Sequence, residues 1–228
     1  WQDLRWPLLI SVVAGLVLPL VVSGALSWQV VVAVSLGIWV VASHLRDLAY
    51  RARRGLGRVT LGYWGMLTAH MGFVVALFGV ALTSVLSVEM DLRMSPGDRD
   101  NLGEMSVTFE GIGSRSGANF VAQRGTFRIE DGGEVLFLYP EKRRYLARNS
   151  VMTEAAIDAG FFRDIYVSLG EPLDNGDWAV RMQLKPFVRW IWLGGLLMAF
   201  GGVLAVSDAR YRRLRSRVTA GGAVAEAL

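Results

Sequence analysis

Residues 61–87 form an almost unbroken apolar run, and this run constrains the rest of the chain more than any other feature. It is longer than the roughly 20 residues that a helix needs to cross a bilayer. Its one strongly ionisable side chain, His70, lies well inside the run. Because an ionisable group at that depth is costly, His70 is by default a functional-site candidate that faces other helices rather than lipid.

The helical neighbours of His70 suit a buried ligand. Met66, Leu67, Phe73 and Val74 share its face at spacings of three and four residues. They are apolar and partly aromatic, as the wall against a flat macrocycle would be. Two interpretations remain open from the residues alone. His70 either ligates a metal or haem iron, or is a neutral imidazole hydrogen-bonded to another helix.

A stripe of small residues runs beside His70 on the same predicted helix. Spacings of three and four keep its members on one seam, and such seams let helix backbones approach closely in a membrane. We interpret the stripe as helix packing, with the glycines of the last apolar run as the expected partners. Its members are Gly65, Ala69, Gly72, Ala76 and Gly79.

Composition and residue clustering define the class of protein. The 228 residues are 53% hydrophobic, and the apolar residues are gathered in runs, so the chain is an integral membrane protein. Residues 6–22 and 28–42 predict a transmembrane hairpin within residues 1–45. Residues 61–87 and 187–207 complete four predicted transmembrane helices. The chain begins with Trp and enters an apolar segment at once, so we expect it to be part of a longer polytopic protein.

The residues that are scarce exclude several kinds of site. The sequence has no cysteine, which excludes disulfides, thiolate metal sites, Fe–S clusters and a cysteine nucleophile within it. His44 and His70 are its only histidines, so a multi-histidine metal site is also excluded. His44 lies among polar residues, and we interpret it as an interfacial or solvated histidine with little functional weight.

Arginine clusters predict the topology. The linker 46–60 and the tail 208–228 are rich in arginine, and both should be cytoplasmic by the positive-inside rule. Residues 88–186 would then lie on the outer side, in the bacterial periplasm. The basic charge follows the apolar runs, so it indicates membrane topology and not a nucleic-acid partner.

Residues 88–186 are predicted to be rich in β-strands. Apolar and polar residues partly alternate, and the DGG sequence at 131–133 is a hairpin signal. The fold class is therefore an α+β integral membrane protein with four transmembrane helices and an inserted extracytoplasmic antiparallel β-barrel or sandwich domain. The predicted strands are residues 87–94, 104–112, 120–130, 134–139, 145–148, 164–169 and 178–184.

The outer segment carries no motif of a self-contained enzyme. There is no phosphate-binding loop, dinucleotide fingerprint or zinc-protease motif, and no catalytic residue is predicted. We expect the carboxylates of this segment to form a surface network rather than a catalytic pair. Lys185 and Arg189 either snorkel at the outer interface or receive an anion such as a haem propionate. The carboxylates considered are Glu89, Asp91, Glu154 and Asp158.

Several stretches together resemble one family, the C-terminal part of CcmF, the cytochrome c-type biogenesis protein of the System I haem lyase. The resemblance covers most of residues 62–213. The stretches that carry it are GYWGMLTAHMGFVVALFGVA at 62–81, SVEMDLRMSPGD at 87–98, YPEKRRY at 139–145, MTEAAID at 152–158, RDIYVSLGE at 163–171 and KPFVRWIWLGG at 185–195.

The resemblance implies a function in haem attachment at the bacterial inner membrane. Members of this family join haem, delivered by a haem chaperone, to a Cys-x-x-Cys-His motif of apocytochrome c. A second haem, haem b, lies in the membrane between two histidines and is thought to reduce the incoming haem iron. His70 matches one of these axial histidines, so the resemblance makes it a cofactor-binding residue and an axial ligand of haem iron.

Parts of the family pattern are missing from this sequence. The tryptophan-rich haem-handling motif, its flanking histidines and the second axial histidine are not found in it. We therefore expect the chain by itself to bind haem weakly or not at all, and to be inactive as a lyase.

An alternative from a different class is a non-enzymatic membrane scaffold. In that case the β domain would gather other cytochrome c maturation subunits in the bilayer, and His70 would only pack against another helix.

Overall fold

The computed structural model describes residues 5–24, 26–55 and 59–208. The chain forms two compact units. The helical unit comprises residues 1–81 and 189–228, and the β unit comprises Leu82–Val188.

Four helices are described, and three of them are long and apolar enough to cross a membrane, namely α2, α3 and α4. The apolar stretch of α1, Arg5–Val21, is shorter than these three. The structure therefore supports a membrane location with three candidate spans. The helices are α1 (Arg5–Ser23), α2 (Trp28–Ala52), α3 (Leu61–Leu86) and α4 (Val188–Val206).

Helix α2 extends beyond the predicted segment 28–42 and ends at Ala52, within the predicted linker. Residues 43–52 contain good helix formers and no glycine or proline. Arg51 Nε also donates to the Asp47 carboxylate one turn earlier, at 2.9 Å. Gly55, with φ of 97°, follows in a left-handed conformation that does not continue a helix. Six arginines of the predicted basic segments lie outside the described residues: Arg58, Arg210, Arg212, Arg213, Arg215 and Arg217.

Helices α3 and α4 pack along the predicted small-residue stripe. A Cβ added at Gly72 would lie 2.6 Å from the Met198 backbone nitrogen, and one added at Gly194 would lie 2.5 Å from the Ala76 nitrogen. Gly65 and Gly201 meet the partner backbone in the same way. Because side chains larger than hydrogen do not fit there, glycine allows the two backbones to touch.

Two antiparallel sheets form the β unit. One has the strand order β1-β10-β9-β8, and the other has the order β2-β3-β4-β6-β7 with β5 also paired to β4. The strands are β1 (Val88–Met94), β2 (Arg99–Leu102), β3 (Met105–Ser116), β4 (Phe120–Asp131), β5 (Glu134–Leu138), β6 (Glu141–Tyr145), β7 (Ser150–Glu154), β8 (Ala156–Ala159), β9 (Arg163–Pro172) and β10 (Trp178–Pro186).

Both sheets contribute side chains to one apolar core. Phe109 of β3 and Phe127 of β4 are fully buried and stack with their ring centroids 4.8 Å apart. Alternate residues of β9 and β10 close the core from the other sheet, as in a β sandwich. These residues are Ile165, Val167, Leu169, Trp178, Val180 and Met182.

The β4–β5 hairpin turn is found where the DGG sequence predicted it. Gly132 and Gly133 have φ of 54° and 94°, the conformation that this two-residue hairpin requires at both positions.

The strand predicted at 145–148 is wrong. Strand β6 ends at Tyr145, which pairs with Phe120, and residues 146–149 turn back into β7. Asn149 ends that turn with φ of 48°, in the left-handed region that asparagine tolerates. Strands β2, β6, β7 and β8 were not predicted, because each is short and lacks a clear apolar alternation.

A buried ion network lies in the β6 stretch. Glu141 is 4% exposed, and its two carboxylate oxygens accept separate hydrogen bonds from Arg115 and Arg143, each at 2.8 Å. Burial raises the pKa of Glu141, but the hydrogen bonds from these two arginines outweigh burial, so the net pKa lies below its ordinary value. The carboxylate is therefore held in its charged form in the folded protein.

Acid should weaken the β unit through Glu141. Because its pKa is lower in the folded state, its stabilisation is complete above the unfolded-state pKa, about 4.3, and is lost as the pH falls through the folded-state value. Glu141→Gln should lower the free energy of unfolding by about 1.5–3 kcal/mol at pH 7 and remove this part of the acid dependence. Unfolding of the detergent-purified chain, followed by circular dichroism between pH 3 and 7, measures both effects.

Glu154→Gln is the matched control for this prediction. Glu154 also pairs with Arg143, at 3.4 Å, but its side chain is 43% exposed. An exposed pair contributes little, so this variant should unfold like the wild type. Equal losses in the two variants would show that burial of Glu141 is not the cause.

Candidate functional site

Helices α2 and α3 face each other at three levels. Gly37 of α2 packs against the Phe78 ring, and the Arg51 guanidinium lies 4.3 Å from the centroid of the Tyr63 ring. Between these levels, a histidine of α2 meets the histidine of α3. Residues 37, 44 and 51 are spaced by seven, which is two helical turns, so one face of α2 makes all three contacts.

The middle level brings His44 and His70 together. Nε2 of His44 lies 3.1 Å from Nδ1 of His70, which is a hydrogen-bonding distance. The other ring nitrogen of His44, Nδ1, lies 2.8 Å from the backbone carbonyl oxygen of Val40. The two imidazoles and the carbonyl therefore form one chain of hydrogen bonds.

These two hydrogen bonds determine which ring nitrogens carry a hydrogen when both rings are neutral. A carbonyl oxygen only accepts, so His44 Nδ1 carries a hydrogen and donates to Val40. A neutral imidazole has one N–H, so His44 Nε2 accepts, and His70 Nδ1 must donate to it. The remaining nitrogen, His70 Nε2, then carries an unshared electron pair.

The distance between the rings also excludes a metal ion held between the two facing nitrogens. Metal–imidazole bonds are about 2.0 Å long, so two nitrogens on opposite sides of one metal ion would be about 4 Å apart. The 3.1 Å separation is shorter, and it joins the two rings by a proton. His44 is therefore a hydrogen-bond partner of His70 in this structure, not a second ligand opposite it.

An apolar open face surrounds His70. His70 itself is exposed, as are its neighbours Met66 and Phe73, with exposed fractions of 38% and 43%. Val74, expected on the same face, is buried instead, and Leu67 is half-buried. An apolar face with one free nitrogen pair suits a flat ligand that bonds through a single axial position.

The donor set fits one axial position of a haem iron. Neutral imidazole is a common axial ligand, and His70 presents Nε2 with its other nitrogen already held. In the described ranges, 5–24, 26–55 and 59–208, no group of three or more histidine, aspartate or glutamate side chains could hold a metal ion. A metal cage built from these residues alone is therefore not present.

The sequence did not reveal that His44 pairs with His70. The polar residues beside His44 indicate an interfacial or solvated histidine; in the structure it lies in α2, half-buried and hydrogen-bonded to α3. One signal could have revealed the pair. His44 and His70 are each 13 residues from position 57, which lies near the midpoint between the end of α2 at Ala52 and the start of α3 at Leu61. Two residues equidistant from the turn of an antiparallel helical hairpin lie at the same height.

The carboxylates of the β unit pair with arginines. Asp91 accepts two hydrogen bonds from Arg181, at 2.7 and 2.9 Å, and these bonds lower its pKa. Glu89 lies 3.5 Å from the same guanidinium. The predicted surface network is thus present in the described part of the β unit, with arginine as the partner.

Lys185 lies in β10 with its Nζ 5.4 Å from the centroid of the Tyr166 ring. This cation–π contact orients the ammonium group within the β unit.

Comparisons with known proteins agree with this fold. The family model described as CcmF C-terminal beta-sandwich matches residues 85–186. The chain is 45% identical over 233 residues to the cytochrome c-type biogenesis protein CcmF of Pseudomonas fluorescens, covering 96% of this chain and 35% of the relative. It is 44% identical over 217 residues to CcmF of Escherichia coli K12, covering 93% and 33%.

A solved structure shares the fold. The cytochrome c haem lyase CcmF superposes with a TM-score of 0.69 at 17% sequence identity, covering 88% of this chain and 34% of that one. The chain thus spans about a third of the length of the relatives that it matches.

Three helices that could span a membrane and a β sandwich define the class of protein, a membrane-associated α+β protein. Within that class, the chain corresponds to the C-terminal part of CcmF, which confirms the resemblance found in its sequence.

Proposed function

We propose that the chain forms the membrane end of a haem lyase that attaches haem to apocytochrome c, and that His70 is an axial ligand of a membrane-buried haem b. The observation that carries the proposal is the 3.1 Å hydrogen bond between His70 Nδ1 and His44 Nε2, in which His70 donates when both rings are neutral. This bond leaves the Nε2 electron pair of His70 on an open apolar face.

Each residue at the site then has a defined task. His70 would supply one nitrogen to a haem iron. Met66 and Phe73, exposed on the same face, would keep water away from the bound ring. A haem held there in its ferrous state would give up one electron, and be oxidised itself, when the haem that is being attached is reduced.

The proposed location is the bacterial inner membrane with four spans, α1 being the fourth. The linker 46–60 and the C-terminus are cytoplasmic, and residues 88–186 are periplasmic. The arginine clusters support this orientation. The periplasmic β sandwich would dock the haem chaperone, the apocytochrome or another maturation subunit, since attachment occurs on that side.

A scaffold without haem chemistry is the second candidate. It is compatible with the same hydrogen bond, because a histidine that only joins two helices would also bond to its neighbour. The β sandwich would then gather maturation subunits, and the Nε2 nitrogen of His70 would have no ligand.

Haem content separates the two candidates. The full-length protein with His70→Ala, purified in detergent, should lack the absorption spectrum of haem b. An unchanged haem b content would reject ligation by His70 and favour the scaffold.

A further inference from the structure

We propose that His44 is a positioning residue for the haem ligand: it fixes the tautomer and the ring orientation of His70 by accepting the hydrogen from Nδ1. The inference rests on the proposed function of His70. It adds a second residue, on a different helix, that touches neither iron nor porphyrin.

The geometry of His44 makes it a one-way acceptor. Its Nδ1 donates to the Val40 carbonyl at 2.8 Å, one turn earlier in the same helix. The ring is therefore anchored to its own backbone, and its Nε2 has no hydrogen to offer in the neutral state. At 3.1 Å, Nε2 accepts from His70 Nδ1 and holds the hydrogen of His70 away from Nε2.

The hydrogen bond from His44 to Val40 affects how strongly His70 would bind iron. Metal-bound imidazoles usually donate their second N–H to a carboxylate, a carbonyl or water, and such partners raise the basicity of the ligand. Here a second imidazole takes that place, and it is itself polarised by a hydrogen bond to a carbonyl. A more basic His70 favours the oxidised iron, so His44 should lower the reduction potential of the haem.

The pair also links two helices. Gly37–Phe78 and Arg51–Tyr63 flank the histidines on α2 and α3, so the ring of His44 is set by contacts at both ends of the same helix face. A change at His44 should therefore alter the haem ligand without separating the helices.

The test uses the full-length protein, purified in detergent, with His44→Ala and His44→Gln. Alanine removes the acceptor, whereas the glutamine side-chain oxygen reaches about as far as Nε2 and can accept. We expect His44→Ala to weaken haem b binding 10–100-fold and to shift the potential of the remaining haem to more positive values. His44→Gln should retain most of the haem and a potential near that of the wild type.

Two controls make the outcome decisive. Leu45→Ala changes an exposed neighbour in the same helix and should alter neither readout. His70→Ala tests the ligand itself: if it leaves haem b in place, the proposed function fails. If His70→Ala removes the haem but His44→Ala keeps wild-type affinity and potential, only the role of His44 is overturned. Equal losses in His44→Gln and His44→Ala would also overturn it, because the hydrogen bond would not be the cause.

Discussion

The His70→Ala variant of the full-length protein is expected to lose nearly all of its haem b. Loss of a residue that merely orients a metal ligand already costs about 10–100-fold in affinity, and loss of the ligand itself should cost at least as much. The measurement is the reduced-minus-oxidised absorption spectrum and the haem-to-protein ratio after purification in detergent.

Met66→Ala is the matched control, because Met66 lies one turn from His70 on the same open face. It removes apolar contact with the porphyrin but leaves the iron bond, so the haem should be retained with a small loss. If both variants lost the haem equally, the site would depend on apolar contact and not on ligation.

Gly194→Leu is expected to have the second large effect. A side chain at position 194 would meet the backbone of α3 at Ala76 and Gly72, which cannot move aside as a flexible side chain can. Overpacking of this kind costs about 1–3 kcal/mol. Thermal unfolding in detergent, followed by helical circular dichroism, should show a lower midpoint and a lower yield of folded protein.

The adjacent residue supplies the control. Gly195 has no atom within 4 Å of an added Cβ, so Gly195→Leu introduces the same side chain without a collision. Both variants replace a glycine of α4 by leucine, so any gain in helix propensity is common to both. Equal stability of the two variants would contradict the close packing of α3 on α4.

Packing of the helices was predictable from spacing alone. The stripe from Gly65 to Gly79 has the period of a helix face, and its expected partners in α4 included Gly194 and Gly201. Spacing could not exclude Gly195 and Gly202, which meet nothing within 4 Å. Which glycines touch is set by the rotation of α4, and rotation depends on packing between the helices.

Strand prediction succeeded where the apolar alternation was long. Strands β3, β4, β9 and β10 bury alternate residues in the core, so their sequences carry the period of two. Strand β7 is almost entirely exposed and charged or polar at several positions, so its sequence resembles a loop. Its strand conformation comes from pairing with β6, which is information from another part of the chain.

One of the two histidines of the candidate site could be selected from the sequence. The depth of His70 in an apolar run was enough to select it as a candidate, because ionisable groups within spans are rare and usually functional. The contact of His44 was missed because its sequence neighbours are polar, while its hydrogen-bond partner is a residue 26 positions away. The length of α2 decides this point, since a helix that ended at residue 42 would not place His44 opposite His70.

A structure of the full-length protein with haem bound tests the central claim most directly. The account predicts that Nε2 of His70 lies about 2 Å from the haem iron, the usual length of a metal–imidazole bond, while Nδ1 remains hydrogen-bonded to His44. An iron atom beyond bonding range of Nε2, or a His70 ring turned toward lipid, would contradict it.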